Sequence, residues 1–365
     1  MRIPKITILL GVAFFAFLHN SAWAVVPVTV LGEKADVVLL GNVLEMSGED
    51  TGGVRIQVQP TLVLKGQLPL SQTSVILRPS GLMQQNAGRQ VISRSVTGLW
   101  FLTEKSNGVY EVIPTEQGNY TESAAFVPVP DWWVPAVGVS LSQQLLSAAV
   151  VSYQSLPDPS GIDEGKLLVS LENTDPNEAL TLIAQLMTSP NIDQQVMGFT
   201  AAIRMGSDEA IVQLAQQMGT LRFSKKFDRI IRALGTYYRP NGNNSIPALR
   251  QLAELRSDIP GLDVAVGKAL QKIETKEVLP VMALLLESSD PLAQNTSAWF
   301  FHFYTALAGP DGNINRSGDG KHPFWTEDTR RYAPRRDSGI TTAEYASFWK
   351  SWWAQHGTEL GFSAP

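Results

Sequence analysis

Cysteine is missing from the whole chain. That excludes structural disulfides, thiolate nucleophiles and thiolate metal ligands, and it excludes lipid attachment to a cysteine behind an export signal. Histidine is scarce. His19, His302, His322 and His356 fall in separate segments, and none stands in H-E-x-x-H or another metal-ligand spacing, so no metal centre is expected. The P-loop and G-x-G-x-x-G are absent, as is the nucleophile elbow G-x-S-x-G, and no cofactor is expected. Ser347 to Lys350 matches S-x-x-K in letters, but its S-D-N and K-T-G partners are missing. DGNINRSGDGKH (311–322) sets Asp311, Asn313 and Asn315 as the first ligands of an EF-hand loop would stand. Position six is Arg316 where Gly is needed, and position twelve is His322 where Glu is needed, so an Asx-rich turn is the plainer reading.

Only one apolar run stands out. MRIPKITILLGVAFFAFLHNSAWA begins with Arg2 and Lys5, stays apolar from Ile6 to Leu18, and reaches the small-x-small triplet Ala22-Trp23-Ala24. The run is about 13 residues against the roughly 20 that a spanning helix needs. It reads as a cleavable secretory signal (1–24) cut near Ala24, with an uncleaved anchor as the competing reading. The expected location is secreted or periplasmic, with no membrane span in the mature chain. Removing Arg2 and Lys5 from the 29 Lys and Arg leaves 27 against 34 Asp and Glu, a net charge of −7. That balance argues against general nucleic-acid or anionic-membrane binding, though local patches can differ. With 44% apolar residues, the chain can bury enough surface for two or more domains.

From Ala35 to Ile113 the pattern is β: alternation or short apolar runs, cut by turn residues. ADVVLLGNVLEM predicts a strand with a bulge or close backbone approach at Gly41. SGEDTGG (47–53) is a turn, VRIQVQPTLVL a second strand and TSVILRP a third. GLWFLTE (98–104) and GVYEVIP (108–114) should pair across a turn at Lys105–Asn107. The expectation for 25–130 is a small antiparallel barrel or sandwich. The order of a strand ADVVLLGNV, a strand ending in LKG, then GLWFL and YEV loosely resembles the netrin-like (TIMP-like) OB-type β-domain over about 80 residues. That family's eukaryotic members rely on cysteines, including the N-terminal one used for metalloprotease inhibition, so inhibition by that route does not carry over. Residues 131–165 read as a linker holding one helix, SLSQQLLSAAVVSYQSL (140–156), with LPDPSGIDEG (156–165) as a hinge. The adjacent Trp132 and Trp133 read as a core cap or junction filler, with a sugar-stacking platform as the alternative.

The helical part repeats itself. EALTLIAQLM (178–187), EAIVQLAQQM (209–218), PALRQLAELR (247–256) and EVLPVMALLL (277–286) align without gaps. Their third positions are Leu180, Ile211, Leu249 and Leu279, their sixth Ile183, Leu214, Leu252 and Met282, and their seventh Ala184, Ala215, Ala253 and Ala283. Large apolar residues at i and i+3 make one stripe, and alanine beside it lets a neighbouring helix approach. A second helix follows each copy. Asp208, Thr275 and Asp290-Pro291 are read as helix starts. Paired helices at intervals of 30 to 40 residues mean an α-solenoid, because one pair cannot cover its own apolar face. The phrases AAIRMGSDEAIVQLA and ALQKIETKEVLPVMALLL resemble the HEAT-repeat (armadillo-like) family over about 166–310. A helical bundle without solenoid order is the competing arrangement. YYRPNGNN (237–244) lengthens the second repeat and should protrude as a loop.

Residues 311–340 lack periodicity and are too long for a plain connection. TTAEYASFWKSWWAQHG (within 341–365) predicts a capping helix, started by Thr341 or Thr342 with Glu344 behind, and with Tyr345, Phe348, Trp349, Trp352 and Trp353 on one broad face. The fold expectation is therefore multidomain α+β: a small β-barrel or sandwich, then an all-α HEAT-like solenoid of about four helix pairs, then the cap. The expected function is non-enzymatic: binding of a protein or peptide partner along the helical surface, with Tyr237, Tyr238, Arg239, Arg316, Trp325, Arg330, Arg331, Arg335 and Arg336 as candidate contacts. The alternative is an enzyme with its site at the junction of the two parts, using carboxylates such as Asp36, Glu45 or Asp131.

Overall fold

A computed structural model describes residues 26–48, 54–68, 73–77, 97–106, 109–113, 126–156, 161–255, 259–309, 314, 323–334 and 338–363. The expected signal at 1–24 lies outside them, as do Arg316, Arg335, Arg336 and all but Ile314 of the calcium-loop look-alike. The chain divides into two compact units, Met1–Ala179 and Leu180–Pro365.

The first unit is built on a curled sheet. Its strands are β1 (Val37–Gly48), β2 (Val54–Lys65), β3 (Thr73–Leu77), β4 (Thr97–Ser106), β5 (Val109–Val112) and β6 (Phe126–Pro128). The ladder runs β1–β2–β3–β5–β4, and β4 pairs with β1 again, so the hydrogen bonding returns to its start. All pairings are antiparallel except β3 with β5. This explains why β1 carries an unbroken run, Val37 to Leu40, where a half-exposed strand would alternate. Val37, Leu39 and Val43 join Ile56, Val58, Trp100 and Phe126 in one core. Val38 and Leu40 face the other way, into a core with Leu99, Phe101, Leu145 and Ala148. Gly41 is the close approach expected from the sequence. It stands opposite Pro60 and Gly98 beside a break in register, and a Cβ there would lie 2.6 Å from Val58 Cγ1 and 2.9 Å from the Gln59 carbonyl oxygen.

Helices α1 (Val28–Lys34) and α2 (Leu141–Ser155) supply the second core's cover. Lys65 Nζ donates to the carbonyls of Gly32 and Glu33, at 3.0 and 2.8 Å, where the end of α1 leaves acceptors unpaired. Ser140 caps α2 in a full capping box with Gln143. Thus 131–156 is no free linker: Trp133 and α2 belong to the sheet's second core, while Trp132 is 72% exposed. The expected hinge is shortened too. Helix α3 (Gly161–Glu172) starts inside it, and its Ser170 hydroxyl accepts the Val28 backbone N–H at 3.2 Å, which ties α3 to the first unit.

The helices beyond are α4 (Pro176–Met187), α5 (Ile192–Arg204), α6 (Asp208–Leu221), α7 (Asp228–Thr236), α8 (Ile246–Glu254), α9 (Leu262–Leu270), α10 (Leu279–Leu285), α11 (Pro291–Leu307), α12 (Glu327–Arg331) and α13 (Thr342–His356). In the second unit α5 to α9 each pack on the next helix but one. α6, α8 and α10 form one row; α5, α7, α9 and α11 form another. The quoted columns explain the first row: Ile211, Leu214, Leu249, Leu252, Leu279 and Met282 are fully buried, as is Ala253, with Ala215 nearly so. The first copy departs from them. Leu180 is 46% exposed and Ala184 is exposed, while Ala179, Ile183 and Leu186 carry the buried stripe of α4.

The joints between pairs share a polar device. Ser224, just past α6, donates to Asp193 of α5 at 2.5 Å. Ser288, just past α10, donates to Asp263 of α9. Caps are Asn191, Ser207 and Asp290, whose side chains accept the first free N–H groups of α5, α6 and α11. Asp208 and Thr275 do not cap as expected. Ser207, one residue earlier, reaches the Ala210 N–H, and Thr275 precedes a 3-10 turn without a side-chain bond. α13 starts at Thr341 with Glu344 in a capping box and packs on α11.

Candidate functional site

Three places collect the residues singled out from the sequence. The first is the turn 237–245. Tyr237 ends α7, and its ring is fully buried. Its hydroxyl donates to Asp208 at the start of α6 and lies 3.2 Å from Ser245 Oγ. Burial, reinforced by the bond to Asp208, pushes the phenol well above its ordinary value. Ser245 in turn donates to the Gly242 carbonyl at 2.7 Å. Arg239 Nε lies 3.9 Å from the other Asp208 oxygen. The extension therefore folds inward at Tyr237, Gly242 and Ser245 and does not protrude whole; Tyr238 and Arg239 stay exposed. Glycine is needed at 206, where φ is +76° and a Cβ would come 3.1 Å from the Tyr238 carbonyl.

The second place is the aromatic end of the helical unit. Trp349 is fully buried, stacks on Phe301 at 5.9 Å and donates its indole N–H to the Tyr332 carbonyl at 3.2 Å. Tyr332 stacks on Phe348 at 4.0 Å. His302 Nδ1 faces the Thr329 carbonyl at 3.2 Å, and its ring lies 5.2 Å from Trp325. Arg330 covers Trp325 at 5.9 Å, and Arg331 lies 6.0 Å from the Tyr332 ring. Of the four expected Arg contacts beyond 329, these two are described, on the short helix α12 that Thr326 caps. Lys350 of the S-x-x-K look-alike pairs with Glu287 at 2.8 Å. That spends the lysine on an ion pair.

The third is the set of carboxylates in the first unit. Asp36 accepts the Glu104 N–H at 3.1 Å. Asp131 accepts from Thr97, whose register partner is Asn42. Val37 to Asn42 spans the whole β1–β4 ladder, so Asp36 and Asp131 stand at its opposite ends, roughly 20 Å apart at strand rise. Glu45 is exposed farther along β1. They form no common centre. Among the described residues no group of three or more His, Cys, Asp and Glu gathers as a metal site. No described helix is long and apolar enough to cross a membrane.

Sequence reading missed the Ser–Asp joints, because serine and aspartate in turns carry no signal of long-range pairing. It also passed over Arg222 and Phe223, in the turn after α6. Phe223 is 75% exposed with the Arg222 guanidinium 5.1 Å above its ring. The interleaving of aromatic and basic residues in RFSKK was available to find it. No protein-family model, curated protein or solved structure matches this chain.

Proposed function

We propose that this is an exported, non-enzymatic scaffold whose helical unit, a HEAT-like α-solenoid, binds a protein or peptide partner along its exposed surface. The observation that carries this is the two-row packing of α5 to α11, with a Ser-to-Asp bond of the same kind at two of its joints. Such packing extends a surface one pair at a time and leaves every pair's outer face available to a long ligand. The basic, apolar and small-residue features of the N-terminal segment support export: Arg2 and Lys5, the apolar run and Ala22-Trp23-Ala24. The closed circuit of strand pairings, with β3 parallel to β5, supports the OB-type reading of the first unit. Asp36, Glu45 and Asp131, which stay apart, lend the enzyme reading no support.

Tyr238 and Arg239 on the 237–245 turn, and Trp325 with Arg330 on the aromatic end, are the contacts assigned to the partner. The test is a photo-reactive residue at Tyr238 or at Trp325, irradiated in the extracytoplasmic fraction and read by mass spectrometry. One recurring protein captured from either position is the expected result. Irradiation that captures nothing at both positions would overturn the reading.

A further inference from the structure

The turn between α6 and α7 carries residues that the fold does not use. It reads Leu221-Arg-Phe-Ser-Lys-Lys-Phe-Asp-Arg229, with Arg232 one turn on. Ser224 does the structural work: it is buried, bonds Asp193 at 2.5 Å and accepts the Lys226 N–H at 3.1 Å. The corresponding serine after α10, Ser288, does the same for Asp263 and for the Asp290 N–H at 2.9 Å. Around it the chain reads ESSDPL, with no basic residue, and the turn before α5 reads TSPNID, also with none. The joint therefore needs serine and aspartate. It does not need Phe223, Arg222 or Lys225, all of which are exposed.

Between 222 and 232 there are five basic residues and one acidic residue. Asp228, the acidic one, is paired with Arg232. Arg222 lies over the Phe223 ring at 5.1 Å and Lys225 is exposed, while Lys226 and Arg229 are half-buried. The result is an apolar tip with a cationic collar on a chain whose net charge is −5. This turn carries no strand, so a peptide cannot add to it along a sheet edge. A fluid headgroup layer accepts a convex aromatic tip, and its phosphates match the collar. On a chain of net negative charge, a basic edge of this kind is the part that such a surface attracts.

We propose that the α6–α7 turn is a docking tip for an anionic phospholipid surface, with Phe223 entering the headgroup layer and Arg222 and Lys225 against the phosphates. This goes beyond partner binding and does not depend on it. The experiment is co-sedimentation of the full chain with vesicles of phosphatidylcholine alone, and with a third of the lipid as phosphatidylglycerol, at low and high salt. The apolar run at 6–18 is common to every form, so the readout is the ratio of variant to wild type on each lipid. On anionic vesicles at low salt, Arg222→Gln with Lys225→Gln should lower the partition ~10- to 30-fold, at roughly fivefold per cation near an anionic surface. Phe223→Ser should lower it ~5- to 10-fold at both salt concentrations, because its contribution is apolar. Unchanged circular dichroism and Tm are expected for both variants, since the side chains are exposed. Variants that bind anionic vesicles like wild type would overturn the proposal. Wild type that binds polyglutamate but no vesicle would overturn it in favour of an acidic peptide.

Discussion

Tyr237 is an aromatic side chain used as a hydrogen-bond donor. Its ring fills the space below the 237–245 turn, and its hydroxyl satisfies Asp208. Tyr237→Phe keeps the ring and strips the carboxylate of that donor, at an expected cost of about 1–3 kcal/mol. The pH dependence has a definite sign. The folded-state value is raised above the unfolded value of about 10. The contribution of the phenol is therefore fully present below pH 10 and is lost as pH rises from there through the folded value. Denaturant titrations of wild type and variant should differ by a constant amount from pH 7 to 9, and the difference should shrink above 10. A gap that is constant to pH 11 would contradict this. Gly41 is the opposite case, a residue whose value is the absence of a side chain. Gly41→Ala puts a Cβ 2.6 Å from Val58 Cγ1, so thermal unfolding should report a loss of about 1–3 kcal/mol from overpacking. An unchanged Tm would show that β1 and β2 do not approach as described.

At the scale of elements, the outcome follows how local each signal is. The strands 37–48, 54–65 and 73–77 were legible because alternation and turn residues lie within a few positions of one another. So was the start of α13, where Thr341 and Glu344 are three residues apart. α1 and β6 were not read. Each is short, and each takes its reason from distant partners: β6 from β4, and α1 from α2. The capping of α6 was misassigned by one residue because Ser207 and Asp208 are both good caps, and only the bond to the Ala210 N–H decides between them. The aromatic face of α13 was legible as a face, but not what it covers. Trp349 lies against Phe301 of α11 and holds the Tyr332 carbonyl. Trp349→Ala should cost about 3–5 kcal/mol, as for other buried aromatic truncations, and should remove much of the near-ultraviolet circular dichroism. A loss below about 1 kcal/mol would mean that α13 does not seal the helical unit.

At the scale of the molecule, the division after Ala179 was the hardest feature to foresee. The repeat-like text begins at 178, yet α3 and the start of α4 belong with the sheet, held by the Val28-to-Ser170 bond among others. Periodicity reports what a helix can bury, and it does not say against which neighbour. That is why the four copies looked equivalent although Leu180 and Ala184 are exposed. The candidate contacts were legible in part for the same reason. Tyr237 and Tyr238 read alike as text, and only packing separates the buried ring from the exposed one. The central claim is that one joint geometry recurs along the helical unit and so builds its surface. The absence of native cysteine allows a direct test. Asp193→Cys with Ser224→Cys, and Asp263→Cys with Ser288→Cys, should each be bridged rapidly by a short dithiol reagent, because those side chains touch across successive pairs. Asp193→Cys with Ser288→Cys should not. Bridging of both neighbouring pairs and not of the crossed pair is the result this account predicts. Equal bridging of all three, or of none, would contradict it.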